Sequence, residues 1–293
     1  MATDESDDRP RVEGSERPAE REDDAATTEE KDVALDRVIL EGRPRLHRSS
    51  ADLLATGVVA GLEIGMGVLA LLVVEEATGS RLLGALAFSV GFIALRLGNS
   101  ELFTEGFHTP VMVVLAREAT TWQLLRLWAG TLVGNLAGGW VVAWLVAVAL
   151  PDLHELAGET AREFTQAPLD LRTFALAVLA GAAITLLTRM QNGTEDDVAR
   201  IVAAVAVALV IVGPGLHHSI LDSLLVFVAL HAGEAGAGYA DWLPWFGFAV
   251  LGNLVGGLLL TTLLRVVRSQ ERLLQWRHAG TGGPRARGSR TGR

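Results

Sequence analysis

The sequence predicts an all-α membrane protein: six transmembrane helices built as an inverted repeat, with the second and fifth helices broken. Three observations lead there. Six apolar stretches, near 51–74, 82–116, 121–149, 171–190, 198–231 and 242–264, reach the roughly 20 residues that a helix needs to cross a bilayer. Charge is gathered outside them, mostly at the two ends of the 293-residue chain. Short motifs return at a nearly constant spacing. With no cysteine, a disulfide scaffold and a thiolate-ligated metal site are both excluded.

Residues 1–36 hold 14 acidic and 5 basic residues, a net charge of −9 that equals the formal net charge of the whole chain. Pro10, Pro18 and an almost complete lack of apolar residues before Val33 leave this acidic tail too little to bury, so it is expected to be disordered and cytoplasmic. Asp4, Glu5, Asp7 and Asp8 stand where a secretory signal carries cations. Residues 37–50 make a pre-membrane segment. The apolar positions 33, 35, 38, 39 and 40 among charges leave two readings open, a short gating helix on the inner membrane face or a plain linker.

In the second span Leu97-Gly98-Asn99-Ser100-Glu101 interrupts the apolar run, with Pro110 following. In the fifth, Gly213-Pro214-Gly215 does the same. Proline removes a backbone donor and glycine weakens a helix, so both segments should open locally. Opened backbone at membrane depth is tolerated only inside protein or along a water-filled cavity, so two such breaks point to a pathway. Arg37, Arg43, Arg45 and Arg48 precede the first span and eight arginines lie from 265 to 293, which places both termini in the cytoplasm of a multi-pass plasma-membrane protein. The loops 151–170 and 233–239 are then external. The basic tail, 269–293, reads as an orientation signal or lipid contact in preference to a nucleic-acid arm.

The channel domain, 51–268, divides into repeats 51–149 and 171–264. Val58-Val59-Ala60-Gly61 is echoed by Val178-Leu179-Ala180-Gly181, an offset of 181 − 61 = 120. Gly98-x-x-Glu101 pairs with Gly215-x-x-His218 at 117, and Gly134-Asn135-x-x-Gly138-Gly139 with Gly252-Asn253-x-x-Gly256-Gly257 at 118. Three spans per unit force the second copy to insert upside down, an arrangement that recurs in solute transporters. This register sets His218 opposite Glu101.

Glu101-Leu102-Phe103-Thr104 after one break, His218-Ser219-Ile220 after the other, and Gly-Asn-x-x-Gly-Gly in spans three and six resemble the formate/nitrite transporter family over about residues 45–268. The resemblance implies an aquaporin-like fold, a homopentamer with one pore per protomer, and passage of small monovalent anions or their protonated acids. It implies His218 as the central pore histidine, Thr104 as the loop threonine, and Leu102 and Phe103 as an apolar constriction. Phe88 and Ile211 would fall near a second constriction. There are departures: the family's span-four asparagine falls near Gly181, its preceding lysine is missing because Lys31 is the only lysine, and Asp222 stands where an asparagine is usual. Arg162 and Arg172 are candidates for an external positive charge.

A histidine in a dry pore would be a neutral group able to hydrogen-bond an anion or pass it a proton; capping of the helix that begins at Ser219 is the other reading. His217 is assigned to packing. Glu63, Arg96, Glu101, Glu105 and Asp222 lie within spans and need partners. Glu101 and Glu105 suit a helix cap, and Arg96 an ion pair with either of them or with Asp222, or an attraction for anions. A neutral-solute pore of aquaporin type lacks its paired Asn-Pro-Ala boxes, a scaffold or sensor would use the acidic tail, and no metal-ligand set, cofactor motif or catalytic dyad supports an enzyme.

Overall fold

The computed structural model describes residues 18–263, 266, 267 and 270–279, and among them every regular element is helical. Helix α1 spans Pro18–His47, and α2, Ser50–Thr78, follows after Ser49, whose hydroxyl accepts the Asp52 N–H at 3.1 Å. It begins inside the segment that composition reads as an unstructured tail; residues 1–17 and 280–293 lie outside the described residues. Of the apolar residues of α1, Leu35, Val38, Ile39 and Leu46 are buried in protein, whereas Val33 and Leu40 are exposed.

Helix α2 turns at Gly79 (φ 64°) into α3, Arg81–Gly98. There Asn99 takes the left-handed conformation (φ 55°) and ends the helix. A 3-10 turn, Phe103–Phe107, and a short helix α4, Thr109–Leu115, complete the broken second span. Helix α5 covers Thr121–Ala149, opened by a reciprocal cap between Thr120 and Gln123. The stretch expected to be an external loop contains α6, His154–Thr165, whose Ala157, Ala161 and Phe164 are buried.

The second repeat runs through α7, Leu171–Asn192; α8, Asp197–Val212; α9, Ser219–Ala232; and α10, Tyr239–Val255, which continues as a π-helical segment, Gly256–Leu263. Helix α11, Gln270–Ala279, closes the described chain. Among the described residues five helices are long and apolar enough to cross a membrane: α2, α3, α5, α7 and α10. The fifth span, expected to break at Gly213-Pro214-Gly215, is divided there into α8, 16 residues, and α9, 14 residues, around the turn at Gly215 (φ 69°).

Close packing of helices explains the repeated glycines. A Cβ on Gly61 would stand 2.2 Å from the Asn135 carbonyl oxygen and one on Gly138 2.1 Å from that of Val58, so α2 and α5 touch backbone to backbone. In the second repeat Gly181 against Asn253 (2.0 Å) and Gly256 against Val178 (1.9 Å) do the same for α7 and α10.

Candidate functional site: the facing elbows

Each break is held by one asparagine. Asn135 accepts the Phe103 N–H at 2.8 Å and donates to the carbonyls of Gly57 (2.9 Å) and Glu101 (3.0 Å). Asn253 accepts the Ser219 N–H at 2.9 Å and donates to those of Ala177 and His217, both at 2.8 Å. Both side chains are fully buried. Each satisfies two backbone groups that the break would otherwise leave unpaired in the membrane, and ties them to a carbonyl of a continuous helix, Gly57 in α2 or Ala177 in α7.

This hydrogen-bond pattern corrects the expected register. Phe103 answers to Ser219 and Glu101 to His217, an offset of 116, so the counterpart of His218 is Leu102, not Glu101. The pseudo-symmetric counterpart of Thr104 is then Ile220. His218 and Thr104 meet across the axis, Nε2 to Oγ1 at 3.0 Å, with both residues at 0% exposure. Their counterparts, Leu102 and Ile220, are apolar and buried in the main core, so the crossing carries one polar pair in an otherwise dry setting.

His218 also begins α9. Its Nδ1 accepts the Leu221 N–H at 3.1 Å, while its own N–H donates to the Asp222 carboxylate at 2.8 Å. An Nδ1 that accepts is unprotonated, so the ring is neutral and Nε2 carries the hydrogen that points at Thr104. The two readings of His218, cap and pore group, are therefore one arrangement: the cap fixes the tautomer, and the tautomer aims a donor across the elbows. His217 packs, as expected, with Nδ1 accepting the Trp245 indole N–H at 3.0 Å and its ring 5.4 Å from Phe164.

Cavities lie on both sides of this pair, at opposite ends of the antiparallel α2 and α3. At the start of α2 a polar cavity of about 280 Å³ is lined by Arg45, Arg48, Arg96, Ser100, Glu101 and Glu105, among others. At the turn from α2 to α3 a much tighter space, about 10 Å³, is lined by Glu75, Arg81, Phe164, Ile211, Leu216 and Asp222, among others. Ile211 therefore stands at the second cavity, whereas Phe88 is packed edge-on to Phe92 at 5.0 Å, against Gly67. Phe103 joins an aromatic ladder through Phe107 to Trp128, with ring centroids 5.0 and 5.7 Å apart.

Arg96 does not hold Glu101. The partners of Glu101 are Arg45 (3.0 Å) and Arg48 (2.6 Å), which reach up from the corner between α1 and α2. Those arginines stood out in the sequence only as orientation signals, because nothing local announces a partner more than 50 residues away. Glu63, unassigned from sequence, bonds Ser100 behind the first elbow, beside Gly98.

A duplicated helical membrane fold whose broken spans meet around a buried polar pair, with a cavity at either end, defines a transport protein. Residues 32–267 match the family described as formate/nitrite transporter, and the chain belongs to that family. It is 27% identical over 237 residues to the inner membrane protein YfdC of Escherichia coli, covering 76% of this chain and 74% of that one. Formate-nitrite transporter 3 of Toxoplasma gondii is 29% identical over 64% of this chain and 38% of its own. Among solved structures, an FNT family ion channel superposes with a TM-score of 0.71 at 19% identity over 80% of this chain and 98% of the other. A pentameric formate channel with formate bound gives 0.62 at 21% identity over 75% and 98%.

Proposed function

We propose that the protein conducts a small monovalent anion such as formate or nitrite, or its protonated acid, through one pore per protomer. The contact between Thr104 and His218, buried between two cavities at opposite ends of the bundle, carries this reading. Moving a bare anion through an apolar constriction is prohibitive. The fixed Nε2–H offers the anion a donor at the narrow point, where Leu102 and Ile220 exclude water. Giving that proton away would leave an imidazolate, since Nδ1 is held unprotonated by Leu221. The geometry thus favours a proton that travels with its anion as the acid, and His218 serves as hydrogen-bond donor.

The arginines of the α1–α2 corner and those near the C-terminus support a reading with six crossings, both termini in the cytoplasm and the larger cavity on that side. Exposed Val59, Met66, Trp140 and Trp144 give the protomer apolar outer faces for lipid and for neighbouring copies, in keeping with a homopentamer like the solved formate channel. Formate and nitrite uptake into proteoliposomes tests the reading. His218→Asn retains a good helix cap but loses the reach to Thr104, so it should fold normally and lose flux by about tenfold or more, the effect of one charge-assisted hydrogen bond. Undiminished flux in a folded His218→Asn protein would refute the role of the ring. A wild type that carries neither solute would refute transport of both.

A further inference from the structure

The tighter cavity contains a cation that the transport reading leaves without a task. Arg81 is the one basic residue on its lining, which also carries the carboxylates of Glu75 and Asp222. Two bonds fix its guanidinium. Nε donates to the Val212 carbonyl at the end of α8 (3.2 Å), and Nη1 to Glu163 on α6 (2.8 Å). Nη2 is turned toward Gly215, where a Cβ would stand 3.3 Å from it. Gly215 is also the residue at φ 69°, so glycine is favoured there by its backbone as well as by this space. From Gly215 the chain passes through Leu216 and His217 to His218.

We propose that Arg81 forms an outer subsite that receives a small monovalent oxyanion at Nη2, beside the bare backbone of Gly215, before it reaches His218. The subsite rests on the anion-transport reading and adds a residue that sets its charge and size selectivity. A planar guanidinium pinned at two of its nitrogens is already oriented to bond an oxyanion, with little entropy left to lose. Without it the lining would hold carboxylates alone, and an anion would meet only repulsion. Asp222 faces the same space, but its carboxylate is engaged by the His218 N–H at the positive end of α9. Glu163 competes with the anion for the guanidinium. The space of about 10 Å³ is that of roughly one water, so entry also requires α6, which supplies Thr160 and Phe164, to yield slightly. Three-atom anions should therefore be preferred to larger carboxylates.

The test pairs binding with flux. Broadening of the 13C-formate NMR signal by detergent-solubilised protein reports binding, and proteoliposome influx reports half-saturation, for wild type, Arg81→Gln, Arg81→Lys and Glu163→Gln. In Arg81→Gln the half-saturation concentration should rise by about tenfold or more, as for one lost charged hydrogen bond, while influx at saturating formate falls less. Arg81→Lys should recover part of the binding, and Glu163→Gln, which removes the competing carboxylate, should lower half-saturation. Unchanged half-saturation in a folded Arg81→Gln protein that still transports overturns the subsite. If Arg81→Gln does not fold, an unchanged value in Glu163→Gln overturns it equally. Absence of formate and nitrite flux in wild type would instead remove the transport reading on which the subsite stands.

Discussion

Asn253 shows how much of the site one side chain can carry. It joins α10 to α7 through the Ala177 carbonyl and to the elbow through the His217 carbonyl and Ser219 N–H, the two groups that flank His218. Each buried backbone group left without a partner costs about 1–3 kcal/mol, and at this depth no water replaces the lost bonds. Asn253→Ala should therefore lower stability by about 2 kcal/mol or more, counting the two elbow groups, the His217 carbonyl and the Ser219 N–H, at the low end of that range. A drop in thermal midpoint in detergent would register it, together with lost flux from the fraction that stays folded. Asn135→Ala should cost a similar amount, because the first repeat holds Phe103 in the same way, so a large difference between the two would contradict the equivalence of the elbows.

At the scale of helices, the duplication was readable because glycines at backbone contacts cannot be replaced: Gly61, Gly138, Gly181 and Gly256 each touch a facing carbonyl. The elbow register was misread by one residue for a physical reason. Gly98 and Gly215 look equivalent in sequence, but Gly98 ends a helix while Gly215 shapes a turn at φ 69°. Helix α6 was legible in principle, since Leu153, Ala157, Ala161 and Phe164 recur at helical spacing; its acidic residues disguised it as a loop. The pairings of Arg81 with Glu163, and of Arg45 and Arg48 with Glu101, were not legible, because they join residues that only the fold brings together. Two alanine substitutions test the helix contacts. Gly181→Ala puts a methyl 2.0 Å from the Asn253 carbonyl oxygen and should destabilise by about 3 kcal/mol, since α7 and α10 must part. Gly247→Ala, on a face of α10 with nothing within 4 Å, should be neutral or stabilising by about 0.5–1 kcal/mol, the usual gain from removing a helical glycine. Thermal midpoints measured side by side distinguish crowding from a general sensitivity of these helices.

Across the whole molecule, the first and last of the described helices, α1 and α11, close on each other and on the first elbow. Asp36 of α1 receives Arg272 Nε at 2.9 Å and the Trp276 indole N–H at 2.7 Å, with Arg272 Nη2 on its second oxygen. Around this pair Leu35, Val38, Ile39, Met112, Ala116, Leu273 and Trp276 form a second core, separate from that of the bundle. Met112 belongs to α4, the half-helix that continues from the elbow bearing Thr104, and Gly42 lets α1 lie directly on Thr109 and Val113. The terminal helices thus brace the elbow from the side of the larger cavity. Arg272 is 8% exposed, so its removal strips a largely buried carboxylate partner as well as packing. Losing one member of such a pair costs about 3 kcal/mol where it is fully buried and less where the carboxylate keeps some solvent, as the Asp36 side chain does at 24% exposure. Arg272→Ala should accordingly loosen α1 without unfolding the bundle: amide hydrogen exchange across residues 33–47 should quicken by about tenfold or more, while exchange in α5 and α9 stays as in wild type. Faster exchange everywhere would mean that the terminal core is part of the global fold. No change anywhere would mean that the interaction with Asp36 contributes nothing to holding α1 in place.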